Sequence, residues 1–172
     1  RSKEKNVAFL VIGDIFAATT HTDLLLRAKE KGVKVEFIHN ASILTAVGVV
    51  GLELYKYGKV TSIPFNYENV DTPINVLDNN KMLGMHTLFL LDLDPKNEKF
   101  LTINEACKYL ISKNVDENSL AIGCTSFGTK DKEIKKGSLK ELSEYSFSKY
   151  PQCLIIPGEL HFVEEEAIEQ WD

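Results

Sequence analysis

Long apolar runs, clustered cysteines and an excess of positive charge are all missing from this sequence of 172 residues. Its longest apolar stretch, residues 7–12, has the length of a strand, whereas a membrane-spanning helix needs about 20 apolar residues. Lysine and arginine number 20 against 25 aspartates and glutamates, so the formal net charge is −5. A nucleic-acid-binding protein usually carries a basic surface. The composition therefore argues against a membrane protein and against direct nucleic-acid binding as the main function.

Cysteine is scarce, and its spacing excludes the common metal motifs. The three cysteines are Cys107, Cys124 and Cys153, and neither a C-x-x-C pair nor a His/Cys cluster occurs, which argues against a zinc site. Their apolar neighbours are typical of buried, reduced thiols in a cytoplasmic protein. Residues 1–6 are mostly polar and show no secretory signal pattern. We therefore expect a cytoplasmic location and no metal site.

The usual nucleotide and nucleophile motifs are absent as well. G-x-G-x-x-G, the P-loop pattern and the G-x-S-x-G elbow do not occur. The four histidines lie on different predicted elements, and a lone histidine is more often structural than catalytic. These patterns therefore identify no catalytic residue.

Strand and helix signals alternate in the first part of the chain. The apolar run 7–12 predicts a parallel strand covered on both faces. Leu24, Leu25 and Ala28 then form a helical stripe that ends near Gly32. An alternating strand is predicted over 33–38, and a second helix starts near Ser42. This β-α-β-α order with short connections predicts an α/β fold.

The pattern starts again after Gly58, where we place a domain boundary, giving domains 1–58 and 59–172. Apolar runs predict further strands over 60–65, 87–91, 120–124 and 153–156. Capping boxes predict helices from Thr102 and from Ser138, and other patterns predict helices over 74–82 and at the C-terminus. The charged segment 130–136 is interpreted as solvated surface. Only two strands precede Gly58, whereas a sheet usually has about 4–6, so we expect the first domain to be incomplete.

Candidate binding residues follow the predicted strands, because ligands of open α/β sheets bind beyond the carboxyl ends of the strands. The first strand leads into Gly13-Asp14 and a loop of small residues. The Asp14 carboxylate could accept hydrogen bonds from a ribose or an amino group. The same pattern also fits a strand-to-helix turn in which Asp14 is only a cap. The spacing leaves both interpretations open.

Several stretches in the chain resemble the diphthine synthases, the methyltransferases of diphthamide biosynthesis. Two motifs are specific, Ala-Thr-Thr-His at 18–21 and His-Asn-Ala-Ser-Ile at 39–43. The matching stretches, in chain order, are 6–21, 38–43, 46–58, 84–92, 104–106 and 157–161. The resemblance implies a two-domain tetrapyrrole-methylase-like α/β fold, with parallel or mixed sheets flanked by helices. In the family, further α/β elements precede the equivalent of residue 7, so the resemblance also implies an incomplete first domain.

The resemblance implies S-adenosylmethionine as cofactor, bound in a cleft between the two domains. Carried over by position, the cofactor-binding residues are Asp14, Ala17, Ser42, Ile43, Leu91, Phe127 and Gln152. Two positions depart from the family pattern. The family usually has Gly-Asp-Pro where this chain has Gly13-Asp14-Ile15. Ile15 therefore replaces a proline, whose ring would have fixed φ in the turn. Gln152 stands where histidine is frequent, so a contact that needs an imidazole is not expected there.

The activity implied by the resemblance is repeated methyl transfer to the amino group of a modified histidine on translation elongation factor 2. The product is diphthine, or its methyl ester in the eukaryote-like members. Thr19, Thr20 and His21 are the nearest candidates for orienting this substrate, and they fit equally well as helix caps. A homodimer is also implied. The alternatives are a tetrapyrrole methylase and an α/β binding domain without catalysis.

Overall fold

Contacts in the computed structural model, which describes residues 2–17 and 21–172, separate two units. The N-terminal unit is Arg1–Ala46 and the C-terminal unit is Val47–Asp172. This division falls before the boundary expected after Gly58, and the domains 1–58 and 59–172 stay a prediction of the sequence.

Helices and strands alternate along the C-terminal unit, as the sequence predicts. The helices of the described chain are α1 (Thr22–Glu30), α2 (Ile43–Ala46), α3 (Thr72–Met82), α4 (Ile103–Ser112), α5 (Leu139–Glu144) and α6 (Phe162–Ile168). The strands are β1 (Thr61–Ile63), β2 (Thr87–Leu91), β3 (Leu93–Asp94), β4 (Lys99–Phe100), β5 (Leu120–Thr125), β6 (Glu133–Ser138) and β7 (Gln152–Ile156). None of the helices in the described residues has the length and apolar character needed to cross a bilayer.

Five of these strands form one mixed sheet in the order β1-β2-β7-β5-β6. β1 and β2 are parallel, whereas β7 runs antiparallel to both β2 and β5. The carboxyl ends of β2 and β5 therefore lie at the same edge as the amino end of β7. We call this edge, marked by Leu91, Thr125 and Gln152, the Leu91 edge. β3 and β4 form a separate short hairpin.

The main hydrophobic core lies between this sheet and helices α3, α4 and α5. Its buried residues include Leu77, Phe89, Leu110, Leu142 and Leu154. The capping boxes at Thr102 and Ser138 are confirmed: each hydroxyl accepts a hydrogen bond from the backbone of a glutamate that bonds back to the cap. The local signals therefore define where both helices begin.

Strand β6 corrects the interpretation of 130–136 as a solvated segment. It pairs antiparallel with β5 over its whole length, from Glu133 to Ser138. A charged segment can form an edge strand because ladder hydrogen bonds use the backbone, and lysine on an edge discourages further pairing. The Lys136 ammonium is held by the carboxylates of Glu169 and Asp172, at 2.9 and 2.8 Å.

The N-terminal unit contains the predicted helix α1, and Gly32 after it has a left-handed φ of +63°. The strands predicted over 7–12 and 33–38 are wrong for this structure, because neither stretch is part of a ladder among the described residues. Leu10 and Ile38 in these stretches are 90% and 88% exposed. A strand takes its backbone hydrogen bonds from a neighbouring strand, and no strand in the described residues pairs with either stretch.

Candidate functional site

Asp14 links two loops of the N-terminal unit. Its Oδ1 accepts a hydrogen bond from the backbone N–H of Phe16 at 2.9 Å. Its Oδ2 accepts from His39 Nδ1 at 2.9 Å and from the Asn40 N–H at 3.2 Å. The backbone bond from Phe16, followed by the bonds from His39 and Asn40, lowers the pKa of Asp14 to about 2. The carboxylate is therefore ionised at neutral pH, and it is more than a local helix cap.

The other predicted cofactor-binding residues of this unit lie on the two loops that Asp14 links. Ala17 is half-buried in the loop after Asp14, and Ser42 and Ile43 are half-buried at the start of α2. Gly13, with a φ of +86°, turns the first loop so closely that an added Cβ would lie 3.5 Å from the Ala41 carbonyl oxygen. The structure thus brings the four N-terminal candidates into one loop pair.

The remaining predicted contacts, in the C-terminal unit, lie together at the Leu91 edge. Leu91 ends β2, Phe127 follows β5 by two residues, and Gln152 begins β7. Thr125 is directly opposite Gln152 in the β5–β7 register. The Leu91 side chain belongs to the hydrophobic core, so a ligand contact of Leu91 must use its backbone. Phe127 is half-buried and follows Ser126, which has a left-handed φ of +51°.

The side chain of Gln152 is already engaged inside the protein. It is 5% exposed, and its Oε1 accepts a hydrogen bond from the Ile103 N–H at 2.8 Å. Its Nε2 donates to the Lys149 carbonyl at 2.9 Å. Ile103 is the first residue of α4, whose first N–H groups have no partner within the helix. Gln152 therefore holds the start of α4 against the sheet.

We expect Gln152→Ala to lower the free energy of unfolding by about 1–3 kcal/mol, because the buried Ile103 N–H loses its acceptor. Urea denaturation measures this change. Gln170→Ala removes an exposed glutamine and should alter the free energy by no more than about 0.5 kcal/mol. If Gln152→Ala left stability unchanged but weakened binding of S-adenosylhomocysteine, the side chain would be a ligand contact rather than a support of α4.

One buried hydroxyl at the Leu91 edge has no partner among the described residues. Thr125 is 1% exposed, and its Oγ1 makes no hydrogen bond there. A buried hydroxyl without a partner carries a free-energy cost, so such a group is suited to a polar ligand. Asp14 Oδ1 also accepts only one hydrogen bond among the described residues, although a carboxylate oxygen can accept two. Each observation, within its own unit, fits a ligand rich in hydroxyl and amino groups.

The opposite edge of the sheet holds a buried ionic cluster. The carboxylate of Glu164, which is fully buried, accepts hydrogen bonds from the Glu53 N–H at 2.8 Å, His86 Nε2 at 2.9 Å and the His161 N–H at 2.9 Å. It also accepts from the Lys56 ammonium. Burial alone would raise the pKa of Glu164, but the hydrogen bonds from His161, Lys56, Glu53 and His86 outweigh it and lower the pKa to about 2. The carboxylate thus joins three separate segments.

His86 is the neutral member of this cluster. Burial lowers the pKa of its imidazole, although the hydrogen bond and charge of Glu164 act in the other direction. Its Nδ1 accepts a hydrogen bond from the Gly158 N–H at 2.9 Å, which leaves the proton on Nε2 to be donated to Glu164. The hydrogen bonds of Glu164, His86 and Lys56 all go to other groups of the protein. We therefore interpret the cluster as structural.

Two cavities of about 220 and 340 Å³ open at this same opposite edge. Met85 lines both, Gly158 lines the smaller and His161 the larger. Neither is lined by a predicted cofactor residue. Within the described chain, no group of three or more His, Cys, Asp or Glu side chains is arranged to hold a metal ion. The three cysteines are buried, which confirms their predicted burial.

Two features of the site were missed from the sequence. The bond between His39 and Asp14 joins residues 25 positions apart, and only the fact that both follow predicted strands hinted at it. The unpartnered hydroxyl of Thr125 depends on tertiary burial, for which the sequence has no signal.

His21 Nδ1 lies 3.0 Å from the Ile15 carbonyl oxygen. Thr19 and Thr20, the other predicted orienting residues, lie outside the described residues.

Comparison with known proteins first defines the class. The family model described as Tetrapyrrole (Corrin/Porphyrin) Methylases matches residues 1–143. A crystal structure of a diphthine synthase superposes with a TM-score of 0.89 at 35% identity, covering 99% of this chain and 67% of that one. The chain therefore has the α/β fold of these methylases, as the sequence predicts.

Individual relatives narrow the class. The diphthine synthase of Methanocaldococcus jannaschii is 42% identical over 97% of this chain and 69% of its own length. The diphthine methyl ester synthase of Dictyostelium discoideum is 38% identical over 98% of this chain and 70% of its own length. The chain thus spans about two thirds of the length of these relatives. It belongs to the diphthine synthase family of S-adenosylmethionine-dependent methyltransferases.

Proposed function

We propose that this chain transfers methyl groups from S-adenosylmethionine to the amino group of a modified histidine on translation elongation factor 2, giving diphthine or its methyl ester. The observation that carries this proposal is the 42% identity to a diphthine synthase over 97% of the chain. The motif His-Asn-Ala-Ser-Ile also contacts Asp14, the first predicted cofactor residue, because His39 and Asn40 both donate hydrogen bonds to the Asp14 carboxylate.

S-adenosylmethionine, when bound, supplies a methyl group on a positively charged sulfur that an amine can attack directly. The chain's own residues then have to bind, align and exclude water. We assign the cofactor contacts to Asp14, Ala17, Ser42 and Ile43 in the N-terminal unit and to Leu91, Phe127 and Gln152 in the C-terminal unit. Ionised Asp14 suits a ribose hydroxyl or amino group, and Leu91 and Gln152 would contribute backbone groups.

The protein substrate and the assembly state extend the same proposal. A polypeptide substrate needs an accessible site, and His39 and its neighbours are exposed. Thr19, Thr20 and His21 are the residues proposed to orient the modified histidine. We also propose a cytoplasmic location and a homodimer, since both accompany this activity in the family that the sequence resembles.

We expect the full chain to transfer labelled methyl from S-adenosylmethionine to elongation factor 2 that carries the diphthamide precursor. Scintillation counting of the precipitated factor and mass spectrometry of the modified peptide measure the transfer. Elongation factor 2 with an unmodified histidine is the matched control and should remain unlabelled, because it lacks the acceptor amine.

A porphyrinoid acceptor tests the tetrapyrrole-methylase alternative in the same assay. Label found only on the porphyrinoid would contradict the proposal. Calorimetric titration with S-adenosylhomocysteine tests the non-catalytic alternative, which predicts no binding. No label on either acceptor and no heat of binding would favour that alternative.

A further inference from the structure

We infer that His39 is the general base of the methyl transfer and that Asp14 orients it. The inference rests on the proposed function. The nucleophile there is an aliphatic amine, and such amines are mostly protonated near neutral pH. An ammonium nitrogen has no lone pair, so each transfer requires that one proton leave the nitrogen.

The geometry of the Asp14–His39 pair fixes which imidazole nitrogen can accept that proton. Asp14 accepts three hydrogen bonds from residues that the structure describes and is therefore a carboxylate that cannot donate. At 2.9 Å from Asp14 Oδ2, His39 Nδ1 must be the donor. In the neutral ring the lone pair then resides on Nε2. A carboxylate that holds the far nitrogen of an imidazole is the arrangement by which enzymes set the tautomer of a histidine base.

Accessibility and position support the same role. The His39 side chain is 71% exposed, whereas that of Asp14 is only 14% exposed, so Nε2 can be approached from solvent. Nε2 has no hydrogen-bond partner among the described residues. The Phe16 ring lies near the His39 ring, with centroids 6.2 Å apart. The backbone N–H of Asn40, the residue after His39, donates a second hydrogen bond to Asp14 Oδ2. The imidazole thus lies at the predicted cofactor loop, where an amine from a protein substrate can approach it.

The other histidine of this unit makes a useful contrast. His21 is half-buried, and its Nδ1 faces a backbone carbonyl, that of Ile15, rather than a carboxylate. A neutral carbonyl can also fix a tautomer, but it stabilises the imidazolium that forms when the base takes up a proton less than a carboxylate does. The ionised Asp14 supplies that full negative charge, which assigns the base to His39.

The proton and electron balance is simple. The ammonium gives one proton to His39 Nε2 and becomes a neutral amine. The amine nitrogen then forms a bond to the methyl carbon while the carbon–sulfur bond breaks, and its electron pair stays on sulfur. The imidazolium, paired with Asp14, releases its proton to water before the next transfer. No oxidant, metal or further reactant is needed.

The decisive variant is His39→Asn, tested in the full chain. Its amide nitrogen can still donate to Asp14, but it has no basic nitrogen at the Nε2 position. We expect the rate of methyl transfer to fall by about 10²–10⁴-fold, while the affinity for S-adenosylhomocysteine stays within about threefold. Lys34→Gln, which removes an exposed charge of the same unit, is the control and should leave both quantities unchanged.

A second readout does not depend on activity. Nitrogen-15 NMR of the histidine rings, recorded at alkaline pH where an imidazole carries a single proton, should show that proton of His39 on Nδ1 and not on Nε2, and Asp14→Asn should weaken that preference. An Nε2-protonated ring in the wild type, or a His39→Asn enzyme within about threefold of the wild-type rate, would overturn the inference while the proposed function stands. A wild-type chain that methylates no precursor-bearing factor would overturn the proposed function and this inference with it.

Discussion

Glu164→Gln is expected to lower the free energy of unfolding by about 3 kcal/mol. The carboxylate of Glu164 is fully buried and accepts four hydrogen bonds, two of them from backbone N–H groups. Glutamine keeps the size of the side chain, but its NH₂ group faces donors instead of accepting from them. Removing one partner of a buried ion pair is costly because the other charge and the donors remain without compensation.

The stability lost in Glu164→Gln should become smaller as the pH falls. The pKa of Glu164 is about 2 in the folded protein, against an ordinary value of 4.5. The unfolded chain therefore takes up a proton before the folded one does, so this stabilisation is complete above about pH 5 and disappears as the pH falls towards 2. Urea denaturation between pH 7 and pH 2 should show the wild-type and variant stabilities converging.

Glu165→Gln is the matched control, since it removes an exposed glutamate from the neighbouring position of α6. Its effect should stay within about 0.5 kcal/mol. A Glu164→Gln protein as stable as this control at pH 7 would show that the four hydrogen bonds do not stabilise the fold.

The second large effect is expected for Gly158→Ala, which should lower the free energy of unfolding by about 3 kcal/mol, the upper end of the range for overpacking. An added Cβ would lie 2.4 Å from the Gly84 carbonyl oxygen and 2.5 Å from the Met85 carbonyl carbon and oxygen. These are backbone atoms and cannot rotate away. The shift they force would also disturb the bond from the Gly158 N–H to His86 Nδ1.

Thermal or urea unfolding followed by circular dichroism measures this loss. Gly48→Ala is the control, because the atoms nearest to its Cβ would be those of the flexible Leu54 side chain, at 3.4 Å, and it should change stability by no more than about 0.5 kcal/mol. Equal stability of the two variants would mean that the segment carrying Gly158 moves away from Gly84 without cost.

Local signals were sufficient for most of the C-terminal unit. The apolar runs predicted β2, β5 and β7, and the capping boxes at Thr102 and Ser138 marked the starts of α4 and α5. Strand β6 was missed because the alternation of apolar residues is lost in a charged edge strand, whose hydrogen bonds come from the backbone of β5.

The sequence by itself indicated the fold class, since apolar periodicity acts within a few positions of the chain. Its resemblance to the diphthine synthases indicated the family and the candidate cofactor residues. Tertiary structure alone decided which groups those residues contact. It gave Asp14 a partner 25 positions away in His39, and it placed the side chain of Gln152 under a helix start 49 positions earlier. It also gave Glu164 its bond from His86, 78 positions apart. Hydrogen bonds over such separations depend on how the elements pack, and no local pattern in the sequence carries that information.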